Sequence, residues 1–444
     1  MIMKKHHKLI DACHILILTF CINGFLLIFN NPWWILPIFI LFILSNATMG
    51  FFRSDIKSDR LLFSYHGCVV LCVTAATAPF TAMYHTVLLY EYLPNNYWPL
   101  VFSGIYVVCI YSVLLANGII SIYLTSGQLG VKWRAMAIVF SLIPPINLFI
   151  LGHMVLKVLR EVDFETMRHD RNMARRNDKV CATKYPVVLI HGIFMRDWGL
   201  FNYWGRIPEE LETNGARIYY GEHQSALPVA ESARELAVRI KRIVAKTDCG
   251  KVNIIAHSKG GLDCRYAIEH YGIGDMVASL TTVNSPHRGC LFVEKLLKIA
   301  PKWLANRVAD SYNKSMRFLG DKTPDFMAGV RDLTATACER RDRELGVPAG
   351  IFCQSIGSRQ NGTFGGRFPM NISEPYVKKH DGPNDGLVGL SSFSFGEQYT
   401  LIEIDGRRGI THMDMIDMNR EDIDGFDVRE FYVDLVRDLK ARGF

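Results

Sequence analysis

The chain has 444 residues, 49% of them hydrophobic, and a formal net charge of +7. That composition excludes intrinsic disorder, a collagen-like repeat and a small disulfide scaffold, and the length allows two or three domains. The charge is unevenly placed: residues 1–160 hold 10 Lys and Arg against 4 Asp and Glu, whereas residues 161–444 hold 40 against 39. A basic excess that flanks apolar runs, rather than clustering on a folded domain, points to a membrane and away from nucleic acid.

Five apolar runs, at about 9–29, 33–52, 61–90, 98–125 and 135–158, are long enough to cross a bilayer. Trp33, Trp34, Tyr97, Trp98 and Trp133 stand at their ends, as interfacial aromatics do. The first run is too long for a cleavable signal, lacks a small-residue cleavage site and leads straight into the second. Residues 1–160 are therefore expected to form an anchor of about five helices. Positive charges alternate between loops: Lys4, Lys5 and Lys8, then Arg53, Lys57 and Arg60, then Lys132 and Arg134, with none around Asn31 or at 91–97. The alternation puts the N-terminus in the cytoplasm and the C-terminal part outside. The flank after the fifth run opposes this, with Lys157, Arg160, Arg168, Arg171, Arg175 and Arg176, and a kink or re-entrant turn at Pro144-Pro145 would reverse the answer. The extracytoplasmic reading is adopted here. His66, His85 and His153 lie inside the runs and are read as helix-interface residues rather than a proton relay. Residues 161–182, densely charged, read as a juxtamembrane linker.

Cysteine usage is uninformative. Cys13, Cys21, Cys68, Cys72 and Cys109 sit in apolar runs, where the residue acts as a small hydrophobe. Cys181, Cys249, Cys264, Cys290, Cys338 and Cys353 show neither C-x-x-C nor zinc spacing and are expected mostly as thiols.

From residue 183 the pattern changes. Short apolar runs at 186–190, 216–220, 252–256, 278–283, 350–356 and 399–404 alternate with helical patterns such as Val229, Ala233, Leu236, Ile240 and Ile243. This predicts an α/β domain over 183–444, with a mostly parallel sheet covered by helices on both faces. Function in such sheets gathers at the carboxyl ends of the strands.

There Ala256-His257-Ser258-Lys259-Gly260-Gly261 follows one predicted strand and precedes a helix. A serine on a sharp strand-to-helix turn is held exposed, with small neighbours making room for the turn, and is a candidate nucleophile. The backbone N–H groups of Lys259 and of Ile193, in His191-Gly192-Ile193-Phe194 after the first strand, are the candidate oxyanion donors. A base and an orienting carboxylate should follow in chain order. Asp385, in Asn384-Asp385-Gly386, and His412, in Thr411-His412-Met413-Asp414, satisfy that order on loops. Asp381 lies in the same loop as Asp385 and is a rival. His257 adjoins Ser258 and cannot easily also face it. His287 comes too early and is read as structural, while His223 and His380 are read as surface residues.

Together YPVVLIHGIF (185–194), KVNIIAHSKGGLDCRY (251–266), TTVNSPHRG (281–289), NDGLVGLSS (384–392) and ITHMDMID (410–417) resemble the bacterial triacylglycerol lipases of the α/β-hydrolase superfamily. The resemblance implies Ser258 as nucleophile, Asp385 as acid and His412 as base, with Ile193 and Lys259 as oxyanion donors. It departs at Lys259, where His or Gln is usual, and in the apolar front half. Many members of that family hold the catalytic-histidine loop with Ca²⁺. Asp414 matches one ligand, Met418 stands where a ligating Gln is common, and an upstream Asp has no clear match, so no cofactor is expected. Residues 290–349 fit the place of a lid, with Leu291, Phe292, Leu296, Leu297, Ile299, Trp303 and Leu304 among Lys295, Lys298 and Lys302. Such a stripe suits either a lipid surface or packing on the core.

The expectation is a membrane-anchored serine ester hydrolase acting on lipid-like substrates through an acyl-enzyme. An acyltransferase with the same triad is the alternative, and a non-enzymatic scaffold on a degenerate fold the third.

Overall fold

A computed structural model describes residues 2–93, 96–193 and 202–444, with side chains from residue 12 onward. The side chains of Lys4, Lys5 and Lys8, part of the 91–97 connection, and Phe194 lie outside the described residues. The chain divides into two compact units, Met1–Arg171 and Asn172–Phe444.

The first unit is all-helical: α1 (Ile2–Ile22), α2 (Phe25–Asn30), α3 (Ile35–Thr48), α4 (Asp59–Tyr92), α5 (Trp98–Thr125), α6 (Gly130–Val139) and α7 (Ile146–Ala174). Among the described residues, α4 and α5 are long and apolar enough to cross a membrane, while Ala12–Ile22 and Pro32–Thr48 form shorter apolar helices. Five continuous runs thus become fewer long helices. The first run breaks at Asn23, whose side-chain amide donates to the Thr19 carbonyl and to Thr81 Oγ1. The fifth breaks at Pro144-Pro145, because proline lacks the N–H a helix needs and biases the preceding residue away from helical backbone. Helices α4 and α5 cross at Gly67 and Gly118. A Cβ at Gly67 would lie 2.9 Å from the Gly118 carbonyl, and one at Gly118 would lie 2.6 Å from Leu71 Cγ. Close glycine crossings of this kind let apolar helices pack without a hydrophobic driving force between them.

The histidines inside this unit and its Arg60–Glu161 pair have defined partners. His66 bonds the Met49 carbonyl and accepts from Asn117, His85 lies between the Thr81 carbonyl and Ser103, and His153 stacks on Trp133. Arg60 donates to the Thr125 carbonyl and to Glu161 at 2.7 Å. Glu161 also accepts from Ser126 Oγ and from the Gly127 and Gln128 N–H groups. The charged stretch after residue 160 is helical as far as Ala174, the end of α7, with Glu161 buried in this cluster and Val162 buried against Ile56 and Leu61.

The second unit carries a six-stranded sheet ordered β2-β1-β3-β4-β5-β6, every pairing parallel. The strands are β1 (Val187–Ile190), β2 (Ile218–Tyr220), β3 (Val252–His257), β4 (Val277–Val283), β5 (Phe352–Ser358) and β6 (Gln398–Ile402). All six match the apolar runs read from sequence. The helices are α8 (Ile207–Thr213), α9 (Val229–Thr247), α10 (Lys259–His270), α11 (Leu291–Ile299), α12 (Lys302–Phe318), α13 (Phe326–Arg331), α14 (Ala335–Leu345), α15 (Met370–Asp381) and α16 (Val428–Ala441). Side chains alternate across each strand. Val187 and Leu189 of β1 pack with Ile207, Leu211, Tyr432 and Val436 of α8 and α16. Val188 and Ile190 pack on the other face with Leu236, Ile240, Cys264 and Ala267 of α9 and α10. This is an α/β-hydrolase-type architecture with both faces covered. Chain order reverses between β1 and β3, so the crevice at their carboxyl ends is the topological switch point. Helices α11 to α14 stand between β4 and β5. All 11 cysteines are unpaired.

Candidate active site

Ser258 closes β3 and opens α10 with φ 55° and ψ −131°, a backbone conformation a non-glycine residue adopts only under constraint. The turn is held by the Ser258 N–H on the Val283 carbonyl at 2.9 Å. Space is tight around it: a Cβ at Gly192 would come within 2.8 Å of Ser258 Cβ. The loop after β1 therefore lies against the serine, as the switch-point topology requires. Ile193 and Ser258 line one cavity. The Lys259 N–H is the first of α10 and has no preceding helical carbonyl to bond. The lysine's side chain is fully buried, with Nζ 2.7 Å from Asp263 Oδ1 and 2.9 Å from Ser232 Oγ, which ties the start of α10 to α9.

His412 and Asp385 meet on the loops after β5 and β6. His412 Nδ1 lies 2.6 Å from Asp385 Oδ2, and the His412 N–H donates to the Asp385 carbonyl at 2.8 Å. Asp385 Oδ1 accepts from the Leu387 and Val388 N–H groups, and Oδ2 accepts from Asn284 Nδ2. The carboxylate is thus fixed from four sides, leaving His412 Nε2 as the ring nitrogen available for proton transfer. That ring hydrogen-bonds Asp385 and lies against His257, with no hydrogen bond to Ser258 Oγ.

The rival carboxylate has another task. Asp381 accepts from the Leu291 and Phe292 N–H groups, both at 2.8 Å, and caps the start of α11. His287 is buried between Arg265 and Thr282. His380 is half-buried against Tyr376. His223 is not on the surface: it is 2% exposed and its ring stacks on His191 with centroids 4.0 Å apart, because the chain turns inward after β2. Sequence reasoning assigned no role to Asn284 or Tyr203. The first had a signal, since an Asn directly after a buried strand enters the sheet's carboxyl end, where polar groups need a reason to be buried. The second lies beyond a loop and had none.

Burial and the neighbouring His412 push His257 well below the ordinary histidine range, so it is neutral. Tyr203 accepts from the Gly192 N–H at 3.0 Å and donates to His257 Nδ1 at 2.7 Å, and His257 Nε2–H then donates to the His412 carbonyl at 3.2 Å.

The cavity at Ser258 has a volume of about 330 Å³. Its walls are almost wholly apolar, with Val293, Leu296, Leu304, Phe326, Val330 and Val388 among them. Most come from α11 to α13. The stripe noted in the lid segment divides: Leu296, Leu297 and Leu304 face the cavity, whereas Ile299 and Trp303 are 69% and 66% exposed.

Residues 186–319 match the family model described as palmitoyl protein thioesterase. The triacylglycerol lipase of Burkholderia plantarii is 31% identical over 276 residues, half of this chain and 76% of its own. Among solved structures, the Staphylococcus hyicus lipase is similar over 59% of this chain and 97% of its own, at 19% identity and a TM-score of 0.47. The triacylglycerol lipase of Pseudarthrobacter phenanthrenivorans is likewise 31% identical, over 50% of this chain and 86% of its own length. Identity of that extent across nearly the whole of a relative makes this chain a member of the triacylglycerol lipase family.

Proposed function

We propose that the chain is a membrane-anchored serine ester hydrolase with lipid-like substrates. Residues 1–160 act as the anchor, 161–182 as a juxtamembrane segment and 183–444 as the catalytic domain, with 290–349 as its cap. Ser258 Oγ attacks the ester carbonyl and passes its proton to His412. The tetrahedral oxyanion is met by the Ile193 and Lys259 N–H groups. Collapse expels the alcohol, which takes the proton from His412, and leaves an acyl-enzyme. Water then attacks this ester, giving its proton to His412, and Ser258 leaves reprotonated. Asp385 holds His412 in the tautomer this needs.

The observation that carries the reading is the Asp385–His412 pair, at 2.6 Å, in one crevice with a strained serine on an apolar cavity. Kinship with triacylglycerol lipases supports an acylglycerol-like ester as substrate. Ser258→Ala should abolish turnover of long-chain p-nitrophenyl esters and labelling by a fluorophosphonate; activity surviving in that variant removes the reading. The match over 186–319 makes an acyl thioester the second candidate, with the same acyl-enzyme. Comparing kcat/KM for palmitoyl-CoA and p-nitrophenyl palmitate separates the two.

The extracytoplasmic side is supported by the alternation of Lys and Arg between loops, with Arg53, Lys57 and Arg60 in one connection and none at 91–97. Cleavage of the catalytic domain by protease added to intact cells tests this.

A further inference from the structure

Resemblance to the lipases raises Ca²⁺ at the loop of His412, so the residues there must be asked whether they could hold it. They do not fit. Ca²⁺ takes six to eight oxygen ligands. Asp414 Oδ2 already accepts from the Thr411 N–H at 2.8 Å, from Thr411 Oγ1 at 2.7 Å and from Arg408 Nη2 at 2.9 Å; Oδ1 accepts from the same Nη2 at 2.9 Å. Two backbone carbonyls of this region, of Gly365 and Gly409, both accept from Arg408 Nη1 at 2.8 Å. Glu421 lies 3.1 Å from the same guanidinium. Asp417 and Asp422 are taken by Arg206. Met418, at the position of an expected ligand, packs into the hydrophobic core. Among the described residues no group of three or more His, Cys, Asp or Glu is arranged for a metal.

We infer that the Arg408 guanidinium is the built-in cation of this loop, a positioning residue that does through Asp414 what a bound metal would do. Both Asp414 carboxylate oxygens, Glu421 Oε2 and the Gly365 and Gly409 carbonyls are turned toward it. Asp414 in turn fixes Thr411, the residue before His412, while the His412 N–H is fixed on the Asp385 carbonyl. Backbone on both sides of the base is therefore anchored, one side through Arg408. A planar guanidinium suits this because it offers several directed donors at once, whereas an ammonium acts as a point charge.

The inference rests on His412 as the base, and the test keeps the two apart. The full chain in detergent is assayed with EGTA, with added CaCl₂, and as Arg408→Gln and Arg408→Lys. Wild-type kcat should be unchanged by EGTA or CaCl₂. Arg408→Gln should lower kcat, and the rate of fluorophosphonate labelling, by roughly 10- to 100-fold as His412 loses its placement, with KM held within about twofold. Arg408→Lys should recover part of the loss. Loss of wild-type kcat in EGTA, restored by CaCl₂, overturns the inference, as does full kcat in Arg408→Gln. If Arg408→Gln fails to fold, the EGTA arm on wild type and the graded effect of Arg408→Lys decide. Activity persisting in Ser258→Ala instead overturns the catalytic reading beneath it.

Discussion

His257 donates from Nε2 to the main-chain carbonyl of His412 at 3.2 Å, and the two rings lie 4.5 Å apart. The residue before Ser258 thus holds the backbone of His412, although 155 positions separate His257 from His412. Tyr203 completes the link by setting the His257 tautomer. Removing the Tyr203 hydroxyl leaves a buried N–H and a buried imidazole nitrogen without their partner, at about 1–3 kcal/mol. Tyr203→Phe is expected to lower kcat by about tenfold, more than it changes KM. Because it acts through His257, its effect should not add to that of His257→Phe. A double-mutant cycle in kcat reads this directly, and additive effects would show that the two residues act separately.

Asn284 and His412 share one oxygen of Asp385, Oδ2. Asp385→Asn presents a donor where His412 needs an acceptor, so the wrong tautomer is favoured and kcat should fall by roughly 10⁴-fold. Asn284→Ala removes one hydrogen bond to a charged group, of about 1.5–3 kcal/mol. It should cost far less, roughly 10- to 100-fold. Steady-state kinetics on a long-chain ester ranks the two, and equal losses would contradict the unequal roles.

Three buried histidines, His191, His257 and His287, are held well below the ordinary range by burial, each helped by a neighbouring cationic or histidine group. The unfolded chain binds protons at these positions below about pH 6.5 and the folded chain does not. Stability is therefore fully present above that pH and lost as pH falls. From pH 6.5 to 5.5 each histidine contributes about 1 kcal/mol of loss, about 3 kcal/mol together. The urea midpoint, followed by tryptophan fluorescence, should drop over that interval, and His287→Asn should shrink the drop. A midpoint indifferent to pH would mean that these rings are protonated in the fold.

Ala305 lines the cavity beside Leu304 and Val308. Ala305→Trp would fill it. Burial of a methylene is worth about 0.8 kcal/mol, so excluding four of them costs about 3 kcal/mol, roughly 100-fold in kcat/KM for a palmitate ester. A butyrate ester should be turned over almost as before. Equal losses on both esters would place the acyl chain elsewhere.

The elements of the catalytic unit were legible because their signals are local. Short apolar runs such as 252–256, alternating with amphipathic helical patterns, fit strands buried between two helical layers, and the turn at Ser258 follows from small residues between a strand and a helix. The order of Ser258, Asp385 and His412 along the chain was enough to nominate them, but not to separate Asp385 from Asp381. Only the packing of α11 did that, by drawing Asp381 onto the Leu291 and Phe292 N–H groups. Apolar composition likewise marked the front unit for a lipid environment. Pro144-Pro145 marked one break in it, but the break at Asn23 was not legible, because Asn23 finds Thr81 only once α1 and α4 are side by side. The uneven charge of residues 1–160 was read mainly as a topology signal, yet folding gives one of those cations, Arg60, a partner in Glu161. Beyond residue 160, Arg175 meets Glu430, and Arg408, unremarked in sequence, gathers Asp414, Glu421 and two carbonyls around the loop of His412. A charge declares its sign in the sequence. Its partner is decided by which distant segments the fold brings within a few ångströms, since in a buried site a charge without one is too costly to keep.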